Sequence, residues 1–357
     1  MIVINYGTDI VQNVYDTLAA SDIGLYLKPG MAVSVKPNLV VSRPASDGAT
    51  THPEVVEGII RFLKDYGIAK MSIIESAWIG DSTKRAFERC GYVELSKRYR
   101  VPLIDLKDDG HTAKRHGEYR INICDEALNA DFLINVPVLK AHCQTSLTCA
   151  MKNLKGCIPD AEKRRFHTLG IHRPVAALNA LLPTGYCVVD GICGDLSFEE
   201  GGNPVEANRI IAGRNPVLVD SYCAELIGYH PDEIEYLSYG KALGVGTYWT
   251  DSIEMVELNP ENKPAHQAKS SRTAAKYRGL IDEDAACSAC YSSLVYALHK
   301  LGNSPHARGK IHIGQGFRGK GGDGVGIGNC ARGFSVCVAG CPPKATDIVD
   351  QLQRRST

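Results

Sequence analysis

The chain has 357 residues, 44% of them hydrophobic and 22% charged, with 40 Lys and Arg against 40 Asp and Glu. These values are close to the averages of globular proteins and exclude a disordered, collagen-like or coiled-coil chain. A net charge of zero argues against nucleic-acid binding, which needs a concentrated basic face. No apolar run approaches the ~20 residues that span a bilayer, and the N-terminus resembles no secretory signal, so we expect a cytoplasmic protein.

The first 260 residues predict strands that alternate with helices. Short β-branched runs predict strands at residues 31–35, 70–75, 101–106, 131–138 and 186–189. A late strand at 252–258 could run antiparallel at an edge. Amphipathic patterns predict helices between these strands, the first capped by the Thr51 hydroxyl and ended by Gly67. Strands joined by such helices imply a mostly parallel sheet with helices on both faces, which is an α/β fold.

The chain then changes character. Residues 259–276 are polar, contain Pro260 and Pro264, and lack periodicity, so we interpret them as a linker. This predicts an α/β core domain at residues 1–260 and a smaller segment at 261–357.

Polar side chains follow several of the predicted parallel strands, where ligands collect in open α/β sheets. Lysines and amides there suit an anionic group such as phosphate or carboxylate. The candidate substrate-binding residues are Lys36, Asn38, Lys140, Lys152, Asn153 and Asp190. We expect His142 and His167 to move protons as catalytic residues, with Lys152 and Asn153 on a helix that follows His142.

Other interpretations of these residues stay open. A single lysine after a strand is often a solvated surface residue, Asn38 after Pro37 can serve a turn, and both histidines can be structural. Imidazole and carboxylate also suit a divalent metal, which would be held by His142, His167 and Asp190. A catalytic pair of Cys143 and His142 is disfavoured, because adjacent residues on a helix point apart.

Cysteine is the unusual residue of this sequence. The odd count of 13, with no export signal, argues against a disulfide framework. Five cysteines fall after residue 286, namely Cys287, Cys290, Cys330, Cys337 and Cys341.

The spacing of these five suits an inorganic centre. Cys287 and Cys290 open an apolar-periodic helix, and Cys337-x3-Cys341-Pro is the ending of a bacterial ferredoxin run. Four thiolates suit a [4Fe–4S] cluster or a structural zinc, and purely structural thiols are the third interpretation. Zinc ribbons prefer a second Cys-x2-Cys pair, which is absent here, so we favour one cluster. The preferred ligands are Cys287, Cys290, Cys330 and Cys341, with Cys337 as the alternate.

An ordered set of short motifs carries a family resemblance over residues 30–250. The motifs are Val35-Lys-Pro-Asn-Leu39, Thr51-His-Pro-Glu54, Lys140-Ala-His142, Met151-Lys-Asn-Leu-Lys-Gly156, Phe166-His167, Val189-Asp-Gly191 and Pro216-Val-Leu-Val-Asp220. The set resembles the family named domain of unknown function 362, whose members are often described as iron–sulfur proteins. The resemblance implies an α/β core of unknown activity joined to a cluster-binding segment. Many members carry tandem cysteine runs, and their absence here implies one cluster rather than two.

The resulting hypothesis is an iron–sulfur oxidoreductase that acts on a small anionic molecule bound at the strand ends, with a redox partner protein. The alternative is a non-catalytic electron carrier, or a scaffold in which a cluster or zinc only stabilises the tail. A structural metal is physically reasonable, because metal binding can supply about 10 kcal/mol of folding free energy. The sequence does not predict the oligomeric state.

Overall fold

The computed structural model describes residues 1–302 and 309–354. Within them the strands are β1 (Ile2–Tyr6), β2 (Ala32–Pro37), β3 (Lys70–Glu75), β4 (Leu103–Asp105), β5 (His111–His116), β6 (Tyr119–Cys124), β7 (Phe132–Val136), β8 (Lys140–His142), β9 (Ser146–Thr148), β10 (Tyr186–Asp195), β11 (Pro204–Gly213), β12 (Met255–Leu258), β13 (Ile281–Glu283), β14 (Ile311–Ile313), β15 (Gly321–Ile327) and β16 (Gly333–Val338). The α-helices are α1 (Ile10–Ala19), α2 (Pro53–Asp65), α3 (Thr83–Arg89), α4 (Tyr92–Tyr99), α5 (Asp125–Leu128), α6 (Ala150–Asn153), α7 (Asp160–Thr168), α8 (His172–Leu181), α9 (Pro216–Leu226), α10 (Glu235–Ala242), α11 (Thr273–Tyr277), α12 (Ser288–Leu301) and α13 (Ala345–Gln353).

The largest sheet has eight strands within the described residues, in the order β12-β1-β11-β10-β7-β2-β3-β4. Strands β10, β7, β2, β3 and β4 all run parallel. Their carboxyl ends therefore share one edge of the sheet, as predicted. Helices cover both faces, and the α/β prediction is confirmed.

The other half of the sheet departs from the prediction. Strand β11 runs antiparallel to both β10 and β1, and the sequence analysis identified neither β1 nor β11. The edge strand β12 pairs parallel with β1, so the antiparallel orientation considered for residues 252–258 was wrong. The reason is topological: β11 reverses direction after β10 and β1 reverses it again, so β1 and its neighbour β12 run in the same direction as the central strands.

Two local predictions near the strand ends were also wrong. Helix α2 starts after His52, and the Thr51 hydroxyl does not cap it. Thr51 Oγ1 instead accepts from the Asn38 amide at 2.8 Å and donates to the Val136 carbonyl at 2.8 Å, which ties two strand ends together. The segment after His142 is not a helix but the hairpin β8–β9, and α6 begins only at Ala150.

The core lies on both faces of the large sheet. Side chains alternate along a strand, so Val188 of β10 joins the cluster under α1 and α2, whereas Val189 joins the cluster under α8 and α9. Burial on both faces explains why these strands are continuous apolar runs.

The C-terminal residues form a second packing unit. Strands β13, β14, β15 and β16 make a parallel four-stranded sheet against α12 and α13. Its apolar cluster also includes Cys143 and Phe198 of the α/β core, and the Phe198 ring lies 5.3 Å from that of Tyr296. The tail is therefore seated on the core beside the β8–β9 hairpin.

Among the described helices, none has both the length and the apolar character needed to cross a bilayer.

Candidate functional site

A cavity of about 150 Å³ lies where the carboxyl ends of the parallel strands meet the C-terminal unit. Both units contribute to its wall, so it exists only in the assembled fold. The polar, basic and thiol side chains that line it include Lys36, Asn38, Lys140, His142, Lys152, Asn153, Lys155, Lys163, Arg164, His167, Glu199, Glu200, Cys287, Cys290 and Cys341.

The structure brings together all but one of the candidate substrate-binding and catalytic residues. The exception is Asp190, which is not among the described residues that line this cavity. Its carboxylate accepts from the His52 amide at 2.7 Å and contacts His52 Nδ1 at 2.8 Å. It also accepts from the Ile192 amide at 3.1 Å. Asp190 thus holds the start of α2 against β10, and the suggested metal site of His142, His167 and Asp190 is not assembled.

The Lys36 ammonium lies in the cavity wall but is fully engaged by protein acceptors. Its Nζ donates to Glu75 Oε2 at 3.0 Å, to the Pro37 carbonyl at 2.9 Å and to Asn153 Oδ1 at 3.2 Å. The pair is buried and hydrogen-bonded, as a buried ion pair must be to persist. Gly156 is required beside it, because a Cβ there would lie 2.1 Å from Glu75 Oε1.

Two other cavity lysines are engaged in the same way. Lys140 Nζ donates to the Ala49 carbonyl at 2.6 Å and the Glu199 carbonyl at 2.8 Å, and burial lowers its pKa to about 8. Lys163 donates to the Ala77 carbonyl at 2.9 Å and to Asp160 Oδ1 at 3.1 Å. These ammonium groups tie loops together around the cavity.

Lys152 differs from these lysines. Its ammonium has no hydrogen-bond acceptor within residues 1–302 and 309–354, although the residue lines the cavity. Burial lowers the pKa of Lys152 to about 7, while the Glu199 carboxylate opposes that shift. Lys152 is therefore a buried cavity cation that is available to a ligand.

The two histidines are held as neutral rings. The amides of Gln144 and Thr145 point at His142 Nδ1 from 3.1 and 3.2 Å, so the ring proton belongs on Nε2, which lies 3.3 Å from Glu199 Oε1. Burial, reinforced by nearby lysines, lowers the pKa of His142 well below its usual value. The same causes lower the pKa of His167, whose Nε2 lies 3.3 Å from Lys155 Nζ.

Two adjacent carboxylates complete the polar wall. Glu199 Oε2 accepts from the Cys143 amide at 3.0 Å. Burial, and then the negative charge of Glu199, raise the pKa of Glu200 to about 7. Glu200 can therefore be protonated near neutral pH, which is the state of a general acid.

The sequence analysis missed Lys155, Lys163, Glu199 and Glu200. Lys155 falls inside the quoted Met151–Gly156 motif and is three residues from Lys152, a spacing that places both on one side of a helical turn. The carboxylates lie in the loop that follows β10, so the rule that located Lys36 could also have located them.

Four tail thiols are grouped around this cavity. Cys287, Cys290 and Cys341 line it, and Cys330 lies close enough for its charge to affect the first two. Burial and these three neighbouring cysteines raise the pKa of Cys290 to about 12. Within the described residues, no three His, Cys, Asp or Glu side chains are arranged to hold a single metal ion.

Cys337 stands apart from that group. Its thiol donates weakly to the Gly328 carbonyl at 3.8 Å, and burial raises its pKa with no contribution from another cysteine. Cys337 therefore remains the alternate ligand of the sequence prediction.

Gln144, in the turn of the β8–β9 hairpin, fastens the tail at the cavity. Its side chain donates to Glu283 Oε1 at 2.7 Å and to the Ala286 carbonyl at 3.0 Å, and accepts from Ser288 Oγ at 2.7 Å. Two of these partners, Ala286 and Ser288, flank Cys287, so one core side chain contributes to the position of that thiol.

Comparisons with known proteins place the chain in a family. A thylakoid-associated protein of Synechocystis sp. is 26% identical over 234 residues, which are 62% of this chain and 71% of that protein. The lactate racemase apoprotein from Thermoanaerobacterium thermosaccharolyticum matches with a TM-score of 0.39 and 12% identity, over 67% of this chain and 56% of that one. A TM-score of this size does not establish a shared fold. Residues 33–225 match the family described as "Domain of unknown function (DUF362)", and the chain belongs to this family.

Proposed function

We propose that the chain binds one [4Fe–4S] cluster through Cys287, Cys290, Cys330 and Cys341 and acts as a redox enzyme on a small anionic molecule. One observation carries the proposal: three of these four thiols line the same cavity as the unengaged Lys152. An electron-transfer group and an anion anchor would thus face a single space.

The residues around the thiols suit such a cluster. Four thiolates are the usual ligand set of [4Fe–4S], which when bound gives or takes single electrons. Burial and the neighbouring cysteines raise the pKa of Cys287, and Lys155 and Arg164 oppose that shift. Arg318 Nε lies 3.4 Å from Cys330 Sγ, so these cations would offset part of the negative charge of cluster-bound thiolates. Gly328 leaves space at Cys290, since a Cβ there would lie 3.8 Å from its Sγ.

The other cavity residues bind the substrate and transfer protons. Lys152 binds the anionic group of the substrate, because the other lysines described above already donate to protein acceptors. The Lys155–His167 pair, 3.3 Å apart, exchanges a proton with the bound molecule. His142 presents its Nε2 proton beside Glu199, and Glu200 supplies an acidic proton near neutral pH.

Metal analysis of protein purified without oxygen tests the first half of the proposal. We expect about four irons and four acid-labile sulfides per chain and a broad visible charge-transfer band. Zinc in place of iron, or no metal, would overturn the redox assignment and leave a structural tail as the better interpretation.

The second half is tested through the reduction potential of the cluster. Phosphate and small mono- and dicarboxylates should shift the potential in the wild-type chain, because an anion at Lys152 lies in the same cavity as the thiols. The Lys152→Met variant should lose that response, whereas Lys97→Met, an exposed lysine on α4, should keep it.

A potential that ignores every anion tested would instead favour an electron carrier, or a cluster that only stabilises the tail.

A further inference from the structure

Cys330 borders a different space from the other three candidate ligands. It lines an open groove of about 680 Å³ on the outside of the C-terminal unit, together with Arg318, Lys320, Asn329 and Arg332. Cys287, Cys290 and Cys341 line the inner cavity instead. The four-thiol group therefore lies between two openings with no lining residue in common.

The groove is basic in a chain whose formal net charge is zero. Of its described lining residues, three are cationic and none is acidic, and all three cations are exposed. Within residues 1–302 and 309–354, the only carboxylate bonded to them is Asp284, whose Oδ2 lies 3.3 Å from Lys320 Nζ at an exposed site. Arg332 donates to the neutral Asn329 Oδ1 at 2.8 Å. The groove thus keeps a net positive charge.

We propose that this basic groove is the docking surface for a small acidic electron-transfer protein, which approaches the cluster from the Cys330 side while the substrate occupies the inner cavity. This inference rests on the proposed [4Fe–4S] function. In the step it serves, the reduced partner loses one electron and the cluster gains one, and no bond or proton moves.

Charge complementarity is the argument for an acidic protein. Opposed charges on two faces steer diffusional encounter and fix orientation, even where they add little affinity. Arg318 donates to Cys330 Sγ and can compensate the cluster, but Lys320 and Arg332 contact no thiol in the described structure and extend the positive surface outward. An acidic face seated on these two residues would approach Cys330.

The test uses the double variant Lys320→Glu, Arg332→Glu with Arg318 kept, and reduced plant-type [2Fe–2S] ferredoxin as the acidic probe. Its binding is measured by titration calorimetry at several salt concentrations, and electron exchange is measured by anaerobic stopped flow in the downhill direction. We expect the double variant to lose at least tenfold in affinity and association rate, together with the salt dependence. The matched control, Lys70→Glu with Lys97→Glu, reverses two exposed charges on the core and should behave like wild type.

Methyl viologen separates docking from a change in the cluster itself. This small cationic reductant should react with the double variant at least as fast as with wild type. If the double variant reacted more slowly than wild type with both ferredoxin and methyl viologen, the cluster itself would be altered and the docking proposal would be overturned. The docking proposal would also be overturned if wild-type protein did not bind ferredoxin at low salt, or if the double variant bound it as tightly as wild type does.

Iron content identifies which proposal fails. Protein without iron removes the proposed function and this inference together. Protein with full iron content and unchanged ferredoxin binding in the double variant removes only the docking surface.

Discussion

The cysteines of the two packing units differ although their side chains are the same. All eight cysteines before residue 286 are buried, whereas the five after it are partly or fully exposed. Burial, reinforced by Cys157 and Asp109, raises the pKa of a core thiol such as Cys124 to about 12 and keeps it an inert apolar group. Four of the tail thiols lie at a cavity or groove lined with cations, where a thiolate can be compensated, although burial raises the pKa of Cys290 to about 12 as well. Environment rather than residue type separates structural thiols from candidate ligands.

Lysine shows the same contrast within one cavity. Lys36 and Lys140 donate to internal acceptors and stabilise the core, whereas Lys152 lines the cavity of the tail thiols and has no acceptor among the described residues. This contrast can be tested by making the same substitution at a residue of each kind and comparing the effects.

The largest effect is expected from Cys287→Ser. A hydroxyl is a poor substitute for a thiolate ligand, so the variant should lose most of its iron and the visible band. The core variant Cys90→Ser should keep the iron content of wild type, because the Cys90 thiol lies at the Arg43 carbonyl inside the core. Full iron and sulfide content in Cys287→Ser would remove this thiol from the ligand set.

The next effect concerns stability. Lys36→Met leaves the Glu75 carboxylate buried without its cation and should lower the free energy of unfolding by about 3–5 kcal/mol in urea titrations. The double variant Lys36→Met, Glu75→Gln should recover part of that loss. Lys152→Met should change stability by less than about 1 kcal/mol, because no internal acceptor loses its donor. If Lys36→Met and Lys152→Met lowered the free energy of unfolding equally, the distinction between engaged and free lysines would be wrong.

Anion affinity should depend on pH around neutrality. Lys152, with a pKa of about 7, is charged below that pH and neutral above it. Glu200, with a pKa of about 7, becomes negative over the same range. Both changes weaken anion binding as pH rises, so the affinity for a small monocarboxylate, whose own charge is constant in this range, should fall several-fold per pH unit above 7. Because Glu199 and Lys140 also act on Lys152, the profile is compared with that of Lys152→Met, which should be shallower.

The smallest effect is expected from Cys337→Ala. Its thiol is separate from the four-thiol group, so the variant should keep about four irons per chain and a wild-type visible spectrum. Loss of the cluster would show that the ligand set contains Cys337 and excludes one of the other four.

Much of the parallel half of the sheet was predictable from the sequence. Strands β2, β3, β7 and β10 are apolar runs that end in polar residues, and their pattern determines both the strand and the edge at which it ends. Lys36, Asn38 and Lys140 were found in this way. Strands β1 and β11 were missed, because their antiparallel pairing depends on partners distant in the chain.

The sequence by itself determined the α/β class, the family motifs and the set of tail cysteines, because each depends on local periodicity or spacing. Only the tertiary structure decided which of these groups meet. It placed Asp190 at the start of α2 rather than in the cavity, engaged Lys36 with Glu75, and brought Cys287 to the wall that contains Lys152. Residues far apart in sequence become neighbours through packing, and burial then decides which ammonium or thiol keeps a partner.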